Sequence, residues 1–239
     1  MRRESDSYLD PMPVFRLSEE IVFPDPSLAD ESGLLAVGGD LSCERLLTAY
    51  SLGIFPWYEE GLPILWHSPD PRFVLMPDDL RISRTLARSL GRFDVTFDAC
   101  FEEVIEACAT VPRRGQRGTW ITSDLKAAFL ELHRLGFAHS VETRSRDGHL
   151  VGGLYGVSIG AAFFGESMFH LQSDASKVAL ARLVERTSSW GFHFIDCQVH
   201  TPHLEALGAK NRPREWFRAA LERALLAAPT RRGPWGSPG

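Results

Sequence analysis

The segment 139–199 constrains the fold of this chain more than any other. Three extended runs follow one another there: His139 to Arg144, His149 to Val157 and Ile159 to Phe164. A turn around Asp147-Gly148 joins the first two. A long helix then spans about 174 to 189, stops at Gly191, and gives way to another extended run over 192–199. Strands in succession, closed by a helix and a further strand, bury their apolar faces as a twisted, largely antiparallel sheet with helices packed on it. Upstream, helices are predicted over 79–90, 98–109 and 123–135. The last starts at Thr122 or Ser123 and stops at Gly136. Downstream, Pro202 suits the first turn of a short helix ending at Gly208, and Pro213 opens a last helix through Leu226. The expected class is α+β.

The N-terminal part reads differently. Gly33 to Asp40 is a short strand closed by glycines, Leu41-Ser42 opens a helix ended by Gly53, and Ile54 to Tyr58 is an aromatic loop. Leu65 to Leu75 reads as two short strands broken by a proline turn. This places a small N-terminal domain at 1–65 and a larger domain at 66–228. The Arg/Gly/Pro-rich stretch 229–239 reads as a disordered tail.

Composition narrows the class. A chain of 239 residues with 15 Phe and 6 Trp is far from a disordered composition and long enough for a sizeable core. The cysteines at 43, 100, 108 and 197 fit no zinc pattern and read as reduced, as in a cytosolic protein. The first residues lack the apolar stretch of a signal peptide, and no run approaches the length of a membrane span. The expectation is a soluble, cytoplasmic protein. The net charge of −5 argues only weakly against nucleic acid, because local charge distribution makes a binding surface.

Several residues carry candidate chemistry. The apolar run Phe192 to Ile195 ends in Asp196-Cys197-Gln198. A carboxylate and a carboxamide both need partners once buried, and their two-residue spacing predicts one shared side of the strand. Such a place can hold a substrate amine beside a reacting carbonyl. Glu166 lies between apolar residues and must reach solvent or find a donor, for which a substrate ammonium is one candidate. Its neighbours Phe163 and Met168 suit a core or a side-chain pocket. Arg81, Arg84, Arg88 and Arg92 recur at helical spacing, with Ile82, Leu86 and Leu90 on another face. A second basic cluster, Arg113 to Arg117, lies beside Trp120. Both clusters read as solvated surface or as phosphate-contacting stripes. Lys177, near a helix start, reads as a surface lysine or as facing a phosphate. Gly152 to Gly156 lacks the Gly-Lys-Ser/Thr end of a Walker loop, and its glycines suit close backbone approach within a sheet. His200-x-x-His203 is interrupted by Pro202 and makes no dependable zinc site.

The ordered set of motifs resembles one family. Gly38-Gly39-Asp40-Leu41, Gly53-Ile54-Phe55-Pro56-Trp57 and Trp66 to Arg72 come first. Thr119-Trp120-Ile121, Ala138 to Glu142 and Gly152 to Gly156 follow. Phe164 to Phe169, Ala175-Ser176-Lys177, Asp196-Cys197-Gln198 and His203 to Ala209 complete the series. From about residue 20 to 217 the chain resembles the leucyl/phenylalanyl-tRNA–protein transferases. The resemblance implies a small N-terminal domain followed by a domain similar to acyl-CoA N-acyltransferases. It implies transfer of Leu or Phe, less often Met, from aminoacyl-tRNA to the α-amine of an N-terminal Arg or Lys, for N-degron-directed degradation. The implied partners are Leu-tRNA, Phe-tRNA and such proteins or peptides, bound by a monomer with no cofactor, metal or membrane. Asp196 and Gln198 match the reacting pair, and Trp57 and Trp120 match aromatics around the terminal adenosine. Phe163, Glu166, Met168 and Ile195 match the amino-acid pocket, with Glu166 near the α-amino end. Leu154 stands where Met is frequent and reshapes that pocket. Arg81, Arg84, Arg88 and Arg92, and by position Arg113 and Lys177, are candidate contacts to the tRNA backbone. Two other readings remain at this point: a noncatalytic tRNA-binding protein, and an acyl-CoA-dependent N-acyltransferase.

Overall fold

The computed structural model describes residues 14–112 and 119–236. Its first strands are short. β1 (Phe15–Leu17) and β2 (Leu34–Gly38) run parallel, and α1 (Cys43–Ser51) follows, its first turn capped by the Ser42 hydroxyl. β3 (Phe55–Pro56) and β4 (Leu65–His67) complete a four-stranded sheet in the order β1-β2-β4-β3. Arg45, fully buried on α1, ties the preceding chain down by donating to the carbonyls of Ser18, Glu19 and Glu20.

A second sheet starts at β5 (Arg72–Leu75), so the change of sheet falls a few residues after the expected boundary at 65/66. Next come α2 (Arg84–Ser89), β6 (Asp94–Phe97), α3 (Phe101–Thr110) and α4 (Ser123–Arg134). β7 (Ala138–Arg144), β8 (Leu150–Ile159) and β9 (Ala162–His170) form the meander. α5 (Ala175–Ser189), β10 (Phe194–Gln198), α6 (Pro202–Ala206), β11 (Lys210–Arg212) and α7 (Arg214–Ala227) follow. The strand order is β11-β5-β10-β9-β8-β7-β6, antiparallel throughout except for the parallel pair β9–β10. The α+β reading holds.

Alternation along the strands separates two apolar cores. Ala162, Phe164 and Phe194 join the core under α1, α3, α4 and α7, whereas Phe163 and Ile195 join the core under α2 and α5. Each fully buried large apolar side chain contributes about 1.5–3 kcal/mol, so both faces carry the fold.

The structure departs from expectation in places with physical causes. β9 runs to His170, well past Phe164, so the block 164–169 is strand. α2 is only six residues long, so Arg81 precedes it and Arg92 follows it, and Ile82 is exposed rather than packed. Residues 229–236 do not behave as a disordered tail. Trp235 is 2% exposed, its backbone N–H donates to Asp98 Oδ2 at 2.7 Å, and the Thr230 hydroxyl accepts from the Gly160 N–H at 2.9 Å. One indole supplies the apolar area that the Arg, Gly and Pro content conceals.

Candidate functional site

The site grows from two bulges on adjacent strands. On β10 the register against β5 shifts between Asp196 and Gln198, and Gln198 sits in the left-handed region at φ 63°. On β9 the register against β8 passes from Gly165 to Ser167 in one step of the partner strand, which leaves Glu166 as the extra residue. The parallel pairing of β9 with β10 ends at Phe164 and Asp196. Just beyond that point, Glu166 and Gln198 face each other. Asp196 and Gln198 thus meet across a bulge rather than along a regular stretch of strand.

Five side chains form one network there. Tyr50 Oη donates to Glu166 Oε1 at 2.8 Å, and Gln198 Nε2 donates to the same oxygen at 2.7 Å. The Gln198 backbone N–H donates to Asp196 Oδ1 at 2.9 Å. Arg72 grips Asp196 with Nε to Oδ1 at 2.8 Å and Nη2 to Oδ2 at 2.6 Å. Arg72 and Asp196 are both buried, at 1% and 0% exposure. The guanidinium also donates to the Gly53 carbonyl and lies over the Phe55 and Phe217 rings at 4.7 and 4.6 Å. Such a planar fork between aromatic faces suits arginine and no other cation.

The electrostatics divide the acids. Burial pushes the Glu166 carboxyl up to about 8, against the pull of the Tyr50 and Gln198 hydrogen bonds. Burial thus favours the protonated form of this carboxyl over the ionised one. Its Oε2 is buried and has no hydrogen-bond partner among the described residues. Burial and the neighbouring carboxyl raise the Tyr50 hydroxyl well above its usual range. Burial also raises the Cys197 thiol far above its usual range, which disfavours the thiolate.

The other sequence candidates fall into groups. Leu154, Phe163 and Ile195 lie together in the core under α5 with Met168 packed against it, whereas Glu166 reaches Tyr50 on the opposite face of the sheet. Trp57 is 43% exposed, and Trp120 packs half-buried against the larger core. Their loops are joined by the hydrogen bond between Tyr58 Oη and Thr122 Oγ1 at 3.0 Å. Arg81, Arg84, Arg88 and Arg92 are all exposed. Lys177 is held 2.8 Å from Asp174. Arg113 lies outside the described residues. Among the described residues no group of three or more His, Cys, Asp or Glu side chains is placed to hold a metal, and His200 instead pairs with Glu205. None of the described helices is long and apolar enough to cross a membrane.

Arg72 and Tyr50 escaped the residue-by-residue reading. Arg72 stands in an extended run whose other members are apolar, and a lone cation in a central strand is itself a signal for a buried acid. Tyr50 sits on the apolar stripe of α1, where its hydroxyl gives no sign in the sequence.

Fold and centre define a mixed-sheet α+β protein with a buried polar centre where two parallel strands part. The model of the leucyl/phenylalanyl-tRNA protein transferase family matches residues 74–222, and that of the family's N-terminal domain matches residues 39–70. A leucyl/phenylalanyl-tRNA–protein transferase of Myxococcus xanthus is 58% identical over 228 residues, covering 94% of this chain and 97% of the relative. One from Desulfatibacillum aliphaticivorans is 56% identical over 226 residues, covering 94% and 96%. The chain belongs to the leucyl/phenylalanyl-tRNA–protein transferase family. Among solved structures, L-PGS from Bacillus licheniformis aligns at 10% identity and TM-score 0.39 over 72% of this chain and 56% of that one. A GCN5-related N-acetyltransferase from Kribbella flavida aligns at 13% identity and TM-score 0.37 over 70% and 60%.

Proposed function

We propose that the chain transfers Leu or Phe, less often Met, from aminoacyl-tRNA to the α-amine of an N-terminal Arg or Lys of a protein. Family membership supports the reaction, and the Tyr50–Glu166–Gln198–Asp196–Arg72 network carries its assignment to this site. The aminoacyl ester is already activated, so the transfer needs no ATP. A C–N bond forms, the ester C–O bond breaks, and the proton lost by the attacking amine ends on the leaving ribose oxygen. The protein must orient the amine and stabilise the developing oxyanion.

Asp196 acts through Gln198. Its oxygens are taken up by Arg72 and the Gln198 N–H, and it is closed to solvent. It is a positioning residue that holds the bulge, while Gln198 presents its amide to the reacting atoms. Glu166, with Oε2 uncommitted, meets the α-amino group of the transferred amino acid. The side chain of that amino acid enters between Leu154, Phe163, Met168 and Ile195. Trp57 and Trp120 stack the terminal adenosine, and the exposed Arg81, Arg84, Arg88 and Arg92 track the acceptor-stem backbone. The seven-stranded part is the catalytic domain.

The test supplies Phe-tRNA or Leu-tRNA with a peptide beginning in Arg or Lys. Transfer to the free N-terminus and none to an acetylated one is expected. A folded protein that binds the tRNA and transfers nothing would overturn the reading.

A further inference from the structure

The structure assigns Trp235 a part in amino-acid selection: it backs Phe163 and fixes how deep the apolar pocket reaches. This inference rests on the proposed pocket of Leu154, Phe163, Met168 and Ile195. Trp235 comes from the chain end beyond residues 74–222, the span matched by the family model. It nevertheless packs in the same apolar core as Leu154, Phe163 and Ile195.

The Phe163 ring packs against two neighbours. On one side lies Gly156, where a Cβ atom would come within 2.6 Å of Phe163 Cε1 and 2.7 Å of Cζ. Beside it lies the Trp235 indole, with ring centroids 5.7 Å apart. Trp235 is itself held by several contacts. It stacks on His139 at 3.9 Å and 12°, meets Trp190 and Phe192 edge-on, and is tethered through its backbone N–H to Asp98. Its carbonyl accepts from Arg186 at 3.1 Å. Phe163 thus cannot yield toward Trp235 or across Gly156 to a larger substrate side chain. Close-packed interiors transmit a change of this kind to the neighbour rather than absorbing it. Trp235 is a positioning residue, acting through Phe163.

Truncating Trp235 gives the Phe163 ring room to retreat and deepens the pocket. Apolar pockets discriminate by about 10–200-fold per methylene-sized difference. Trp235→Ala is therefore expected to raise the ratio of kcat/KM for Phe-tRNA over Leu-tRNA by about tenfold, and Trp235→Phe by less. The same ratio is measured for Phe163→Leu, with circular dichroism establishing the fold of each variant. A changed ratio in Phe163→Leu with an unchanged ratio in folded Trp235 variants overturns the inference and leaves the pocket standing. An unchanged ratio in an active Phe163→Leu overturns the pocket reading itself. An equal fall for both aminoacyl-tRNAs in Trp235→Phe would make the indole a stability element only and also overturn the inference.

Discussion

Replacing Asp196 by Ala leaves the Arg72 guanidinium buried at 1% exposure without its bidentate partner. Breaking one partner of a buried pair costs about 3–5 kcal/mol. For a chain of this length each kcal/mol moves the melting temperature by about 2–4 °C, so Asp196→Ala should melt roughly 6–20 °C lower. A companion variant carrying Asp196→Leu with Arg72→Met removes both charges and should recover most of that loss, because an apolar pair of similar volume suits the same core. It should not recover turnover, since the Gln198 N–H still lacks its acceptor and the bulge loses its anchor. Melting is followed by circular dichroism. Transfer of labelled Phe to an Arg-starting peptide is followed at saturating Phe-tRNA, with tRNA binding measured separately. Recovery of both stability and turnover in the companion variant would refute the positioning role of Asp196. Asp196→Ala melting within a degree of the parent would refute the buried pair itself.

Glu166 makes stability pH-dependent with a defined sign. Its folded value of about 8 lies above the ordinary 4.5, so the native state keeps a proton that the unfolded chain releases, and stability falls as pH rises between those values. Glu166→Gln should flatten that segment of the stability–pH curve, read by chemical denaturation at several pH values; an unaltered slope would count against the raised carboxyl. Replacing Arg84 and Arg88 together by Ala should lower the slope of log K against log salt for tRNA binding by about 2 and leave turnover at saturating tRNA intact, and an unchanged slope would return that surface to solvent. Gly156→Ala should destabilise by about 1–3 kcal/mol in denaturant titration, because its Cβ would overlap the Phe164 carbonyl oxygen, and a neutral outcome would mean the strands part easily there.

The regular parts of the molecule were legible in the sequence. Capping by Ser42 and Thr122, the glycine stop at Gly191 and Pro202 in the first turn of its helix each mark a local event that local residues determine. Asp196 and Gln198 were legible as candidates because polar groups ending an apolar strand demand partners. Their partner Arg72 was not, since pairing across 124 residues leaves no periodic trace. The bulges were equally silent: a register shift depends on the neighbouring strand, and a strand's own pattern cannot announce it. The disordered reading of 229–236 failed for a related reason, as composition averages over the one indole that anchors the segment.

β5 lies between β10 and β11, so the second sheet places a strand made early between two made late. A ribosome adding about 5–20 residues per second needs about 6–25 s to pass from Arg72 to Asp196. Through that interval the nascent chain carries an apolar strand with both edges open and a guanidinium awaiting its acid. The four-stranded sheet can close while synthesis continues, but the seven-stranded sheet cannot. The second sheet therefore closes only once β10 and β11 are made, and a chain that stops before them leaves both edges of β5 open to pairing with another chain.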